Sequence, residues 1–263
     1  MVNNKIGYAC ISMQLSYPTK YGNKPKGTKP ITTNRSMIKR TFESKGIDYA
    51  SEICLENVKD LHKIVSWNIM NGYDFFRMSS DMAPWKTEYD WSDLKDIDEI
   101  KKWFHSVGVM AHTHGVRLTT HPGPFNVLVS PHDHVIENCI KDLSIHGDEM
   151  DFMMLSRTPY NKINIHLGGV YGDKESAMDR FCKNFEEQEA LEMAISTWGD
   201  IKPVVHYSES RSIEQLDESI RPQAHSDYVL DYIDTYGHEV DIMVEAKHKE
   251  LAVNKYKELH NVL

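Results

Sequence analysis

The sequence predicts an α/β chain, specifically a TIM-like (β/α) barrel that is incomplete, because six strands can be found where eight close that fold. Short apolar runs alternate with amphipathic helical stretches, the pattern of repeated βαβ units. After the first strand, successive strands begin about 40–45 residues apart. Polar, metal-capable residues recur at the C-terminal ends of the strands, which in a parallel barrel all open on one face. No linker or repeat interrupts the chain, so residues 1–263 are read as one domain.

The first strand is read at 5–11 (KIGYACI), and a long loop follows it. A helix at about 56–71 is marked by Val58, Leu61, Ile64 and Val65 on one stripe. Strands at 74–80, 116–122, 162–168, 201–208 and 240–246 alternate with helices at about 98–114, 132–146, 173–198, 225–236 and 247–261. The 173–198 stretch is about twice the usual helix length, as though two elements were fused there.

Composition narrows the function classes. With 40% hydrophobic and 26% charged residues in 263, the chain is an ordinary globular one, not a disordered or fibrous one. No run of about 18 apolar residues occurs, so no transmembrane helix is expected. Met1-Val2-Asn3-Asn4-Lys5 opens no long apolar stretch, so no signal peptide is expected and an intracellular setting is: cytoplasm, nucleoid or nucleus. The four cysteines lie far apart with no C-x-x-C pair, which fits a reducing compartment.

A net charge of -9 argues against a nucleic-acid partner, but its distribution argues for one. Between Tyr17 and Phe42 lie Lys20, Lys24, Lys26, Lys29, Arg35, Lys39 and Arg40 with no acidic residue, leaving about -16 on the rest. A basic loop on an acidic body can attract a phosphate backbone locally. A solvated loop with an accidental charge bias is the plainer alternative.

The chemistry-bearing residues sit at strand ends: Arg77-Met78-Ser79-Ser80, Thr120-His121-Pro122-Gly123, His166-Leu167-Gly168-Gly169, Val205-His206-Tyr207-Ser208 and Glu245-Ala246-Lys247. A single such histidine is more often a hydrogen-bonded structural residue. Three histidines and a carboxylate at the same end of different strands make a site for Mn²⁺ or Zn²⁺. His225 follows a strand-end loop and stays open between a structural and a functional role. His112, His114, His132, His134, His146, His238, His248 and His260 read as helix-end or surface residues.

Taken together, several strings resemble the UV damage endonucleases. They are GYACISM near the start, TNR at 33–35, LHKIVSWNI at 61–69, FFRMSS at 75–80, THPGPF at 120–125, INIHLGGVYGDK at 163–174, AHSDYV at 224–229 and DIMVEAKHKELA at 241–252. The resemblance runs from about residue 5 to the C-terminus. It implies a TIM-like barrel that binds double-stranded DNA containing UV lesions. There metal ions, commonly Mn²⁺ and otherwise Zn²⁺ or Mg²⁺, activate water to cut the phosphodiester 5′ of the lesion. Carried over residue by residue, His121, His166, His206 and Glu245 match metal ligands, and His225 matches a metal-site histidine. Tyr8 matches an active-site tyrosine near the DNA, so Tyr8 and His225 are the catalytic candidates. Gly123-Pro124-Phe125 matches the probing loop that wedges into the duplex; Pro124 stands where the family has glutamine, while Phe125 can still stack. Lys24, Lys26, Lys29 and Arg35 complete the DNA-binding set.

One departure coincides with the fused helix. After a segment like Arg180-Phe181-Cys182-Lys183-Asn184-Phe185-Glu186 the family has two further strands and a helix, and with them a glutamate, an aspartate and a histidine that ligate metal. This chain runs straight into Glu187-Gln188-Glu189-Ala190-Leu191. Val204 stands where the family has a modified lysine. Fewer ions than the family norm are therefore expected, at most one or two, with a gap in the barrel. Three readings stay open: a DNA repair endonuclease, a catalytically dead truncated relative, and a metal-dependent sugar isomerase or epimerase on the same barrel type.

Overall fold

The computed structural model describes residues 5–158, 160–165, 171–172, 176–177, 180, 204–217, 219–221, 224–233 and 241–262. Its strands are β1 (Ile6–Ala9), β2 (Phe75–Arg77), β3 (Arg117–Thr119), β4 (Val204–Tyr207) and β5 (Asp241–Val244). They form one sheet in the order β3-β2-β1-β5-β4, with every pair parallel. The α-helices bounded among the described residues are α1 (Met13–Ser16), α2 (Pro18–Tyr21), α3 (Lys39–Met70), α4 (Ile97–Thr113), α5 (Asp133–Phe152), α6 (Arg211–Glu214) and α7 (Lys249–His260).

Strand alternation sorts the core into two layers. Ile6, Tyr8, Phe76, Leu118, Ile242 and Val244 face outward and are buried with the helices in the main core. Ala9, Phe75, Val204 and Met243 form a separate inner cluster. The helices supply the outer layer through their own period. In α3, Ala50, Cys54, Val58, Leu61 and Val65 recur every three or four residues and are buried, as are Ile100, Phe104, Val107 and Ala111 in α4. Each such side chain contributes roughly 1.5–3 kcal/mol on burial. Gly108 allows the closest helix contact, because a Cβ there would lie 1.7 Å from the Met153 carbonyl oxygen.

Inner-face contacts show how tightly the sheet curls. Arg117 on β3 reaches across β2 and β1 to Asp241 on β5, with Nη1 2.6 Å from Oδ2. The far edge of the sheet also meets the segment beyond β3: the Asn164 amide donates to His206 Nε2, on β4, at 2.7 Å. Asn164 follows Ile163, which is joined to Thr120 by a single parallel bridge. Among the described residues the seam between β4 and the 163 segment is thus closed by side chains and not by a backbone ladder. Among the described residues the curled sheet comprises five strands and one bridge.

Five of the six expected strands are present, each shorter than its sequence run. Of the sixth, expected at 162–168, the described residues show that one bridge, and residues 166–168 lie outside them, as do the 184–189 junction and all of the helix expected at 173–198 except residues 176, 177 and 180, which are helical. The helix expected at 56–71 begins earlier, at Lys39, with a non-helical Gly46 (φ 70°) dividing it. The helix expected at 225–236 is not formed through 233. Carboxylates satisfy its backbone instead: Glu214 accepts from the Asp227 and Tyr228 amides and Glu209 from those of Leu230 and Asp231, at 2.7–2.9 Å. Each of those amides then needs no helical partner.

Asp241→Asn should remove the carboxylate that faces the fully buried Arg117 guanidinium and destabilise the chain by about 3–5 kcal/mol. Arg157→Ala, which opens only the exposed pair with Asp151, should cost under about 1 kcal/mol. Urea denaturation of both variants checks the contrast.

Candidate active site

The alternation that makes the inner core also makes the site. On β2, Phe75 faces inward, so Arg77 does too; on β4 the same holds for Val204 and His206, and on β5 for Met243 and Glu245. These three polar residues therefore lie one layer above the inner apolar cluster, at the C-terminal mouth of the sheet. Glu245 is the centre. Its Oε1 accepts from Arg77 Nη1 and, at 2.8 Å, from His206 Nδ1. Its Oε2 lies 3.4 Å from His225 Nε2. Burial alone would raise the Glu245 carboxyl, but the His206 hydrogen bond and the Arg77 and His225 charges outweigh it and push the group down to about 2.

His121 joins the group from β3. Its Nδ1 donates to the Asn164 carbonyl at 2.7 Å, and its ring meets that of His206 edge-on at 5.9 Å. With the Asn164 amide donating to His206 Nε2, the His206 proton sits on Nδ1 and points at Glu245. Asn164 and Lys249 are residues near this mouth that the sequence does not mark, whereas Arg77 stands among the strand-end residues without an assigned role. For Arg77 the signal was there, since it ends a strand two residues after an inward Phe75. Lys249 carries a left-handed backbone (φ 49°), and its ammonium is pushed down by burial first and by Arg77 next, with Glu245 opposing.

Of the expected site residues, His121, His206, His225 and Glu245 are brought together, and His166 lies outside the described residues. Tyr8 is not at the mouth. It is fully buried on the outer face, donates to Asn68 Oδ1 at 2.5 Å, and packs against Tyr73 and Phe76. The reason is alternation: Gly7 and Ala9 take the inner face, so Tyr8 must take the outer. Burial raises its hydroxyl well above the usual tyrosine value.

Arg35 is likewise turned inward. Its guanidinium pairs with Asp60 at 2.5 Å, and Asp60 also holds Lys63 at 2.7 Å. The TNR segment around it works as a clasp: Thr33 and Asn34 both contact the Ser79 hydroxyl, and Asn57 bonds Arg35 through both its backbone groups. At the other end of the loop, Glu250 accepts from the Ser12 hydroxyl and the Gln14 amide. Between these anchors Lys24 and Lys26 are exposed, and Lys29 is exposed with Glu56 3.6 Å away. Pro124 and Phe125 project from the turn after β3, Phe125 86% exposed, while Asn126 ties the turn to Gly123 and Asp142. Both loops leave C-terminal strand ends, so both rim the mouth that holds Glu245.

Three imidazoles and a carboxylate suit a borderline divalent ion in kind. In number they fall short: among the described residues no group of three or more His, Cys, Asp or Glu side chains is arranged to hold a metal ion. Glu245 Oε1 and both ring nitrogens of His206 are already engaged.

The profile of the family described as UV-endonuclease UvdE matches the chain over residues 4–189 and 185–262. The two pieces meet at the junction where the sequence loses an expected segment. A UV DNA damage endonuclease of Clostridium perfringens (strain 13 / Type A) is 31% identical over 183 residues, covering 70% of this chain and 40% of the relative. A UV-damage endonuclease of Schizosaccharomyces pombe is 26% identical over 309 residues, covering 95% of this chain and 49% of the relative. That aligned length exceeds the 263 residues present here, so the relative carries residues without a counterpart. The chain spans about half or less of these curated relatives. The crystal structure of SacUVDE matches with a TM-score of 0.75 at 20% identity, covering 99% of this chain and 100% of that one. At that identity the likeness concerns the fold.

Because its carboxyl is held low, Glu245 adds stability that is complete above the usual carboxylate range and is lost as pH falls toward about 2. Glu245→Gln should be the less stable chain at pH 6, and its deficit should shrink steadily on acidification. Urea midpoints of parent and variant across that range check the sign.

Proposed function

The chain belongs to the UV-endonuclease UvdE family, and from that premise we propose that it binds double-stranded DNA containing UV lesions and cuts the phosphodiester 5′ of the lesion at the Glu245 mouth. The observation that carries this reading is the coincidence of three features on one face: an exposed basic loop, an exposed aromatic wedge, and a histidine-carboxylate cluster. The loop attracts phosphate irrespective of sequence. Phe125 inserts where stacking is already broken, which makes damaged duplex the cheaper one to open. A free sugar needs neither feature, which disfavours an isomerase or epimerase.

An ion, Mn²⁺ ahead of Zn²⁺ or Mg²⁺ and at most one or two per chain, would be held by His121, His166, His206 and Glu245 and would supply Lewis acidity at the phosphate. The chain's own groups do the rest. In its neutral form His225, with Nε2 beside Glu245 Oε2, can take a proton from water on its other ring nitrogen, the carboxylate stabilising the imidazolium that results. His206, fixed between Asn164 and Glu245, keeps that carboxylate aimed at the mouth. The incomplete donor set supports a second reading, a relative that retains damage binding with weakened or absent incision. Incision of an end-labelled, UV-irradiated duplex separates the two: a nick 5′ of the lesion supports the enzyme, and binding without a nick supports the dead relative.

Replacing Lys24, Lys26 and Lys29 together with alanine should weaken binding to all duplexes alike and flatten the salt dependence by up to about three phosphate contacts. Titrations at several salt concentrations check this, and unchanged affinity at every salt would mark the loop as mere solvated surface. Phe125→Ala should leave affinity for intact duplex nearly unchanged and reduce the preference for damaged duplex, by about 1–3 kcal/mol if a full stacking contact is lost. Parallel titrations of damaged and intact duplex read that difference.

A further inference from the structure

We infer that the chain carries a second apolar wedge for the duplex, Leu216 supported by Ile213, on the segment that follows β4. The inference rests on the reading of the mouth as the DNA-binding face and adds to it a residue that recognises the opened base step.

The first observation is a side chain of the wrong type for its backbone. Helix α6 ends in two hydrogen bonds, from the Asp217 amide to the Ser212 carbonyl at 2.9 Å and from the Leu216 amide to the Ile213 carbonyl at 3.2 Å. This helix ending puts Leu216 in the left-handed region (φ 52°), where glycine is the usual residue. Packing does not offset the strain, because Leu216 is 91% exposed. Ile213, three residues earlier and so on the same side of the turn, is 74% exposed. A single exposed leucine is ordinary surface. A strained one with an apolar neighbour is a side chain held out at the expense of the fold.

The second observation is where that segment is rooted. The chain leaves β4 at Tyr207 and returns at His225, which bridges to Ser210. The Arg211 amide donates to the Ala224 carbonyl at 2.8 Å, and the Ser226 amide to the Glu209 carbonyl at 2.9 Å. Leu216 therefore belongs to a loop whose closed root carries His225, 3.4 Å from Glu245. The Phe125 turn starts beside it: the ring of His121, four residues before Phe125, lies 5.9 Å from that of His206. Two exposed apolar side chains thus spring from adjacent roots on one mouth.

The loop is also braced. Glu209 and Glu214 turn their carboxylates onto backbone amides within 227–231, and Asp217 accepts from the Ser219 amide and hydroxyl. Apolar side chains presented on a firm base are what proteins drive between base steps. A UV lesion lowers the work of opening the stack, so a second wedge favours damaged duplex over intact. A second copy of the chain fits less well, since a stable dimer buries about 800 Å² on each partner and two side chains cannot supply that.

Leu216→Gly tests the inference, because it removes the side chain while relaxing the left-handed backbone. Its melting temperature should therefore stay near the parent's. Anisotropy titrations should show its affinity for a duplex carrying a UV photoproduct falling about tenfold, as expected for the lost burial of a leucine. Affinity for the same duplex without the photoproduct should be unchanged. Leu216→Met, which keeps an apolar side chain, should stay within about threefold of the parent, and Leu216→Gly with Phe125→Ala should lose the preference for damage altogether. Unchanged damaged-duplex affinity in folded Leu216→Gly overturns the inference and leaves the DNA reading standing. An equal loss on both duplexes overturns it too, as does Leu216→Met binding as weakly as Leu216→Gly. A parent that binds neither duplex overturns the DNA reading and this inference with it. A dimer in sedimentation that Leu216→Gly dissolves would assign the side chain to a second copy instead.

Discussion

Glu245 and Asp241 both project from the inner face of β5, and both reach over β1 to find an arginine, Arg77 on β2 and Arg117 on β3. They can do so only because β1 presents almost nothing on that face: Gly7 and then Ala9. A Cβ at Gly7 would lie 2.5 Å from the Phe75 carbonyl oxygen and 2.7 Å from its ring. The bare strand lets Phe75 and Met243 fill the middle of the sheet and lets two ion pairs bridge it, one at each end of the apolar layer. The lower pair, fully buried, ties the curl of the sheet. The upper pair, at the mouth, fixes the carboxylate on which the candidate active site is centred.

That arrangement links fold to function by a short route. Parallel strands put every following loop at one end, so the basic loop after β1, the Phe125 turn after β3 and Glu245 after β5 share a face without any long-range device. The basic loop is held at its roots by Glu250 and by the Thr33–Ser79 and Arg35–Asp60 contacts, which leaves its tip exposed. Rigid roots with a free, charged tip suit a segment that meets phosphate by electrostatics. The mouth itself is held by hydrogen bonds that engage Glu245 Oε1 and both ring nitrogens of His206.

Much of this was legible in the sequence, because period-two alternation and strand-end placement are local properties. The parallel α/β class, five strand positions and the meeting of His121, His206, His225 and Glu245 all follow from them. Tyr8 is a place where motif and alternation point in different directions: the same alternation that puts Ala9 inside sends Tyr8 outside, where it is buried against Asn68. Arg35 belongs by sequence to the basic DNA-binding loop, and nothing local reveals its pairing with Asp60, 25 residues away. The 225–233 segment has a helical look, yet the Glu209 and Glu214 carboxylates satisfy its backbone from outside. Such tertiary capture cannot be seen in a window of neighbouring residues.

The claim on which the account turns is that the strand-end mouth around Glu245 is the face that meets damaged DNA. Hydrogen–deuterium exchange of the full chain, with and without a duplex carrying a UV photoproduct, tests it most directly. Protection should appear at residues 20–31, 122–127, 206–209 and 245–249, with the outer surfaces of α3 and α4 unchanged. Protection confined to those helices, with the four loop and strand-end segments exchanging as in the free chain, would contradict it.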